Sequence, residues 1–127
     1  MRTVVALLLA CLALPAVSQV QRVTIYFVPW DVMTRAAFTA ADVRSVARIK
    51  TEIFDAQLAE RFVKSVKGKK VSVAPNDVRD IRLVVDVESG SGATKSFVAN
   101  RFYLLNEQSG SVYKIDQRFR ARFDLAP

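Results

Sequence analysis

Histidine is absent from all 127 residues, and cysteine occurs once, as Cys11. Without histidine the chain lacks the commonest general base, the Ser-His and Cys-His nucleophile pairs and the commonest transition-metal ligand. A single cysteine leaves structural zinc with no usable ligand set. Glycine and proline are sparse at four each, and no repeat, low-complexity run or interdomain linker interrupts the chain. These absences exclude most hydrolytic and metal-dependent chemistry, and no cofactor or metal is expected.

A long apolar run is missing too. The longest, residues 4–17, has fourteen residues, short of the roughly 20 that cross a bilayer core. Arg2 precedes it, Pro15 breaks it, and Ala16-Val17-Ser18 offers small residues where a signal peptidase cuts. The spacing predicts a cleaved signal peptide over 1–18, no transmembrane segment afterwards, and a single domain over 19–127, periplasmic or secreted. A minor alternative is a lipoprotein anchored through Cys11, since "LLAC" loosely resembles a lipobox. Cleavage after Ser18 removes the cysteine, so the mature chain has neither a disulfide nor a thiol nucleophile.

What the chain has is positive charge. Its formal net charge is +7, or +6 once Arg2 has left. Outside the cytoplasm nucleic acid is not an expected partner, and an acidic protein or an anionic envelope surface suits the charge better.

"RVTIYFV" (22–28) alternates as a strand and ends at Pro29. A loop containing Trp30 and Asp31 then runs to Phe38. Thr39 and Asp42 form a near capping box. Val43, Val46, Ala47, Ile53, Phe54, Leu58, Phe62 and Val66 follow at helical spacing, which predicts one long helix over 40–67, weakened at Lys50-Thr51 and stopped at Gly68. Lys64, Lys67, Lys69 and Lys70 complement the dipole at its end.

The remainder reads as strands: "KVSVA", "DIRLVVDVE", "TKSFVANRFYLL" and "VYKIDQRFRARFDL", with turns at Pro75-Asn76-Asp77, "SGSG" and "NEQSGS". Phe97 and Ala99 differ in parity from Phe102 and Leu104, so a bulge is expected near Asn100-Arg101. The expected fold is α+β: one antiparallel sheet of four to five strands, wet on one face, with a long helix on the other. Its order, β-α-β-β-β-β, resembles cystatin-like and NTF2-like folds in outline, a likeness of topology that carries no function.

Few constellations suggest chemistry. Asp86 and Glu88 share a strand face, and as a glycosidase-like carboxylate pair they give the weakest reading, a hydrolase. They read better as charge partners of neighbouring basic residues. Asp77 and Asp80 belong to a turn, and "PNDVRD" has too few oxygens for calcium. "GSGATKS" lacks both the spacing and the following helix of a phosphate-binding loop. On a strand Arg118, Arg120 and Arg122 would project in a row, about 6.5 to 7 Å apart, with Arg101 beside them.

Arginine suits bidentate contact with carboxylate, and Trp30 with Asp31 offers an anchor nearby. The expected function is therefore a non-enzymatic extracytoplasmic binding protein, an inhibitor or immunity protein for a secreted toxin or cell-wall hydrolase. Its partner-binding residues are Trp30, Asp31, Arg101, Arg118, Arg120 and Arg122. The alternative is a small-ligand carrier with a cavity lined by Phe38, Phe54, Phe62 and Tyr113.

Overall fold

Residues 20–66 and 68–123 are described by the computed structural model. Residues 1–19 (the expected signal sequence and Cys11 among them), Lys67 and residues 124–127 lie outside them. Strand β1 (Val20–Phe27) alternates as expected and buries Val23, Ile25 and Phe27. The capping box forms, with Thr39 and Asp42 each accepting from the other's backbone N–H, and it opens helix α1 (Ala40–Val46).

The continuous helix does not form. Strand β2 (Ile49–Ile53) interrupts it and pairs antiparallel with β1, from Phe27 opposite Ile49 to Val23 opposite Ile53. Ile49, Thr51 and Ile53 are β-branched at period 2, a pattern that suits a pleated surface better than a helix interior. Asp55 then accepts from the N–H groups of Gln57 and Leu58 and starts a separate helix, α2 (Ala56–Ser65).

The chain continues through β3 (Lys69–Val71), a 3-10 turn at Pro75–Asp77, β4 (Leu83–Ser89), β5 (Thr94–Ala99), β6 (Tyr103–Asn106), β7 (Val112–Lys114) and α3 (Gln117–Phe123). The fold is α+β with one antiparallel sheet, ordered β2-β1-β4-β5-β6-β7-β3. Its seven strands and three α-helices among the described residues replace the expected four to five strands and single helix. The two edges, β2 and β3, are consecutive in sequence and joined by α2. Next to β3, a Cβ at Gly68 would run into the Lys114 carbonyl oxygen, so this position accepts only glycine without rearrangement.

The expected bulge at Asn100-Arg101 is a tight turn instead. The Asn100 side-chain oxygen accepts from the N–H groups of both Phe102 and Tyr103, each at 2.8 Å, and Asn100 N–H donates to the Tyr103 carbonyl. Side-chain parity changes there because one strand ends and another begins. The last expected strand is corrected as well. After β7, Asp116 accepts from Phe119 N–H at 2.8 Å, and the chain coils into α3, which buries Phe119 and half-buries Phe123 four residues on.

The face expected to be wet is covered over part of its area. Val23, Ile25, Phe27, Leu83, Val85, Val87, Phe97, Ala99 and Leu104 form one core, with Ala59 and Phe62 of α2 and Phe119 and Phe123 of α3 against it. Val84, Val98, Leu105 and Val112 form another on the opposite face, under Val43 of α1 and Val78 and Ile81 of the loop before β4. A strand buried on both faces needs consecutive apolar residues, and Leu83-Val84-Val85 supplies them.

Candidate functional site

Trp30 follows Pro29 in a turn closed by Val32 N–H donating to the Pro29 carbonyl at 3.1 Å. Its ring is 6% exposed, edge-on to Phe27 at 5.2 Å and to Phe123 at 6.5 Å between centroids. The indole Nε1 donates to the Arg120 carbonyl at 3.0 Å. Arg120 Nη1 donates to the Arg101 carbonyl at 2.7 Å, and Arg101 Nε donates back to the Trp30 carbonyl. Three distant segments are thereby closed into a hydrogen-bonded ring: the loop after β1, the β5–β6 turn and α3.

Around this ring lies an open groove of about 860 Å³, lined by Trp30, Asp31, Arg101, Phe102, Lys114 and Arg120 among others. Phe102, at the tip of the β5–β6 turn, is 63% exposed. Its backbone is nevertheless fixed, because its carbonyl accepts from Ile115 N–H at 3.0 Å. The groove therefore joins a rigid exposed aromatic to a rim of mixed charge, with Arg101, Lys114 and Arg120 against Asp31 and Asp116. Four of the six expected site residues, Trp30, Asp31, Arg101 and Arg120, meet here.

Arg118 and Arg122 do not join them. In a helix the three arginines cannot form the row a strand would give: residues four apart share a face, while Arg120 points away. Arg118 and Arg122 line a smaller pocket of about 130 Å³ between α2 and α3, where Arg122 Nη1 donates to the Ser65 carbonyl at 3.0 Å. That contact satisfies a carbonyl left open at the end of α2. Phe102 is the groove residue that periodicity missed; the turn-forming Asn100 just before it was the available signal.

The carboxylates of β4 are paired. Glu88 meets Arg22 of β1 at 2.6 Å. Asp86 accepts from Arg44 of α1 at 3.1 and 2.8 Å and from Ser96 at 2.7 Å. Burial pushes the Asp86 carboxyl up, but the hydrogen bonds from Arg44 and Ser96, together with the Arg44 charge, hold it below its ordinary value. A general acid needs the opposite shift. Because the folded state binds this proton more weakly than the unfolded chain, the pair stabilises above the unfolded value and loses that contribution as pH falls through the folded one. Asp86→Asn should cost about 1 kcal/mol at neutral pH. The difference from wild type should shrink as pH falls below the ordinary carboxylate range, followed by urea midpoints across pH.

One further residue escaped periodicity. Arg82, in the alternating run "DIRLVVDVE", is 2% exposed. Its Nη2 donates to Asp80 Oδ2 at 3.0 Å and its Cζ lies 5.3 Å from the centroid of the Phe38 ring.

Among the described residues no group of three or more His, Cys, Asp or Glu side chains could hold a metal ion, and no helix is long and apolar enough to cross a membrane. No family model, curated protein or solved structure matches the chain. The class is thus defined by the molecule itself: an α+β protein with a seven-stranded antiparallel sheet that carries a core on each face and a groove built on a Trp-Arg-Arg ring.

Proposed function

We propose that the protein is a small non-enzymatic binding protein acting outside the cytoplasm, and that the Trp30–Phe102–Arg120 groove receives a segment of an acidic protein partner. The carrying observation is the presentation of exposed Phe102 on a turn whose backbone is pinned, beside Arg101, Lys114 and Arg120. An aromatic held rigidly at low entropic cost is the usual centre of a binding hot spot. The three basic side chains of the rim would steer and orient acidic side chains around it. Residues 1–18 support an extracytoplasmic location, where an inhibitor or immunity role toward a toxin or wall hydrolase fits this surface. Trp30, Arg101 and Arg120 build the groove, and Asp31, Phe102 and Lys114 supply contacts at its lip.

Purified protein used as bait on extracytoplasmic extracts tests this reading. A partner bound by wild type and by Arg118→Glu should bind Phe102→Ser at least about 30-fold more weakly, as expected for a hot spot, and should also be weakened by Lys114→Glu. Binding that survives both groove variants but is lost in Arg118→Glu would move the site to the other side of α3.

A small-ligand carrier is the second reading, favoured by the groove volume, about 860 Å³, which lies within the range of ligand sites. The cavity first expected for it does not form. Phe62 and Tyr113 pack on one sheet face, Phe38 on the other, and Phe54 is exposed. Native mass spectrometry of the isolated protein would show a co-purified ligand under this reading.

A further inference from the structure

The two edges of the sheet are built differently. β3 is three residues long and carries Lys69 and Lys70, the short, lysine-bearing form that keeps an edge from pairing with another chain. β2 is five residues long and reads Ile-Lys-Thr-Glu-Ile. It has no proline, no glycine and no net charge, and the β-branched Ile49, Thr51 and Ile53 favour extended pairing. Among the described residues its strand neighbour is β1 alone, and Lys50, Thr51 and Glu52 at its centre are exposed. Its outer row of N–H and C=O groups is an open template for one more strand.

The sequence of β2 specifies which strand fits, because turned end for end about Thr51 it is charge-complementary to itself. In an antiparallel pair centred on Thr51, Lys50 of each copy faces Glu52 of the other, Ile49 faces Ile53 and Thr51 faces Thr51. Moving the centre to Lys50 or to Glu52 sets like charges opposite each other, so charge selects one register. Within one copy Lys50 Nζ and Glu52 Oε1 already lie 3.6 Å apart, and Lys50 sits 5.6 Å from the centroid of the Tyr26 ring. Pairing completes a square of four alternating charges on that face. Continued by one residue at each end, the register sets Arg48 of one copy against Phe54 of the other. Both are exposed, Phe54 by 65%, and a cation over the ring covers an aromatic that the monomer leaves in water. The same operation applied to β3 sets Lys70 against Lys70, which disfavours pairing at that edge.

We propose that the protein self-associates through β2 as a two-fold dimer, joining two sheets into one continuous antiparallel sheet. The interface is isologous, as in the commonest oligomers. With one short strand from each copy it belongs to the small, transient class. The edge shares no residue with the Trp30–Phe102–Arg120 groove, so each reading can fail alone.

Sedimentation of the mature chain from about 1 µM to about 1 mM tests the proposal. Wild type should pass from monomer toward dimer over that range. Lys50→Glu and Glu52→Lys each turn both facing pairs into like-charge pairs, so each variant should self-associate at least about tenfold more weakly. An equimolar mixture of the two variants restores both opposite-charge pairs and should dimerise, as should the double variant. These positions are exposed, and thermal melts show that each variant is folded. Hydrogen exchange gives a second readout: β2 amides, open in the monomer, should gain protection as concentration rises, while those of β3 should not. A wild-type chain that stays monomeric throughout, a dimer indifferent to either swap, or a mixture that fails to associate overturns the proposal.

Discussion

Replacing Trp30 with alanine is expected to lower the free energy of unfolding by about 3–5 kcal/mol, the range for truncating a buried aromatic. The indole fills the space between Phe27 and Phe123, and its removal leaves a cavity where β1, α3 and the β5–β6 turn converge. It also removes the donor to the Arg120 carbonyl, so a partly buried acceptor loses its partner. Against the 5–15 kcal/mol typical of a whole domain, such a loss brings the protein close to unfolding. Trp30→Phe separates the two contributions. It keeps most of the apolar contact, loses the N–H, and should cost about 1–2 kcal/mol. Urea denaturation of both variants checks this, and a loss below 1 kcal/mol for Trp30→Ala would mean that the ring is not the clamp its geometry describes.

Asp80→Ala is expected to be almost as damaging, at about 3 kcal/mol, near the lower end of the range for stranding a buried charge because Asp80 is partly exposed. Arg82 then has no carboxylate, the Phe38 N–H loses its acceptor, and alanine tolerates φ of 60° less well than aspartate. Arg82→Met should behave quite differently. Replacing the guanidinium by an unbranched apolar chain removes the charge instead of orphaning it, so stability should stay within about 1 kcal/mol of wild type or rise. The double variant should recover most of the Asp80→Ala loss, and the double-mutant cycle measures the coupling directly. Additive losses would show that the two residues act independently.

Much of the architecture was legible because local signals were strong and unopposed. The alternation of β1, the Thr39–Asp42 cap and the glycine turn before β5 appear as expected. Elsewhere two periods fitted the same letters. "RFRARF" alternates apolar and charged residues as a strand would, yet Phe119 and Phe123 also lie four apart on one side of a helix, and Gln, Arg and Ala are good helix formers. Asp116 as N-cap resolves the ambiguity. Asp55 does the same for α2, and a helical stripe drawn through Ile53 and Phe54 overlooked it. The groove was partly legible, since Trp30, Asp31, Arg101 and Arg120 converge. Arg118 and Arg122 were misplaced with the strand they were drawn on. Arg82 was beyond reach: strand alternation assigns a face but cannot say whether that face is later covered.

The order of the sheet carries one more consequence. Strands β4 to β7 form a sequential meander with β1 added at its side, so the five inner strands pair with one another and residues 49–71 lie outside them. That segment contributes both outermost strands, tied by α2 across one face. Each of its strands has a neighbour on one side only, and β3 is short and lysine-bearing. It wraps the inner strands from edge to edge like a belt, and its amides should exchange with solvent well before those of β4 and β5. A protein fastened in this way can loosen at both edges in one local opening while its centre, and the groove built on it, remains folded.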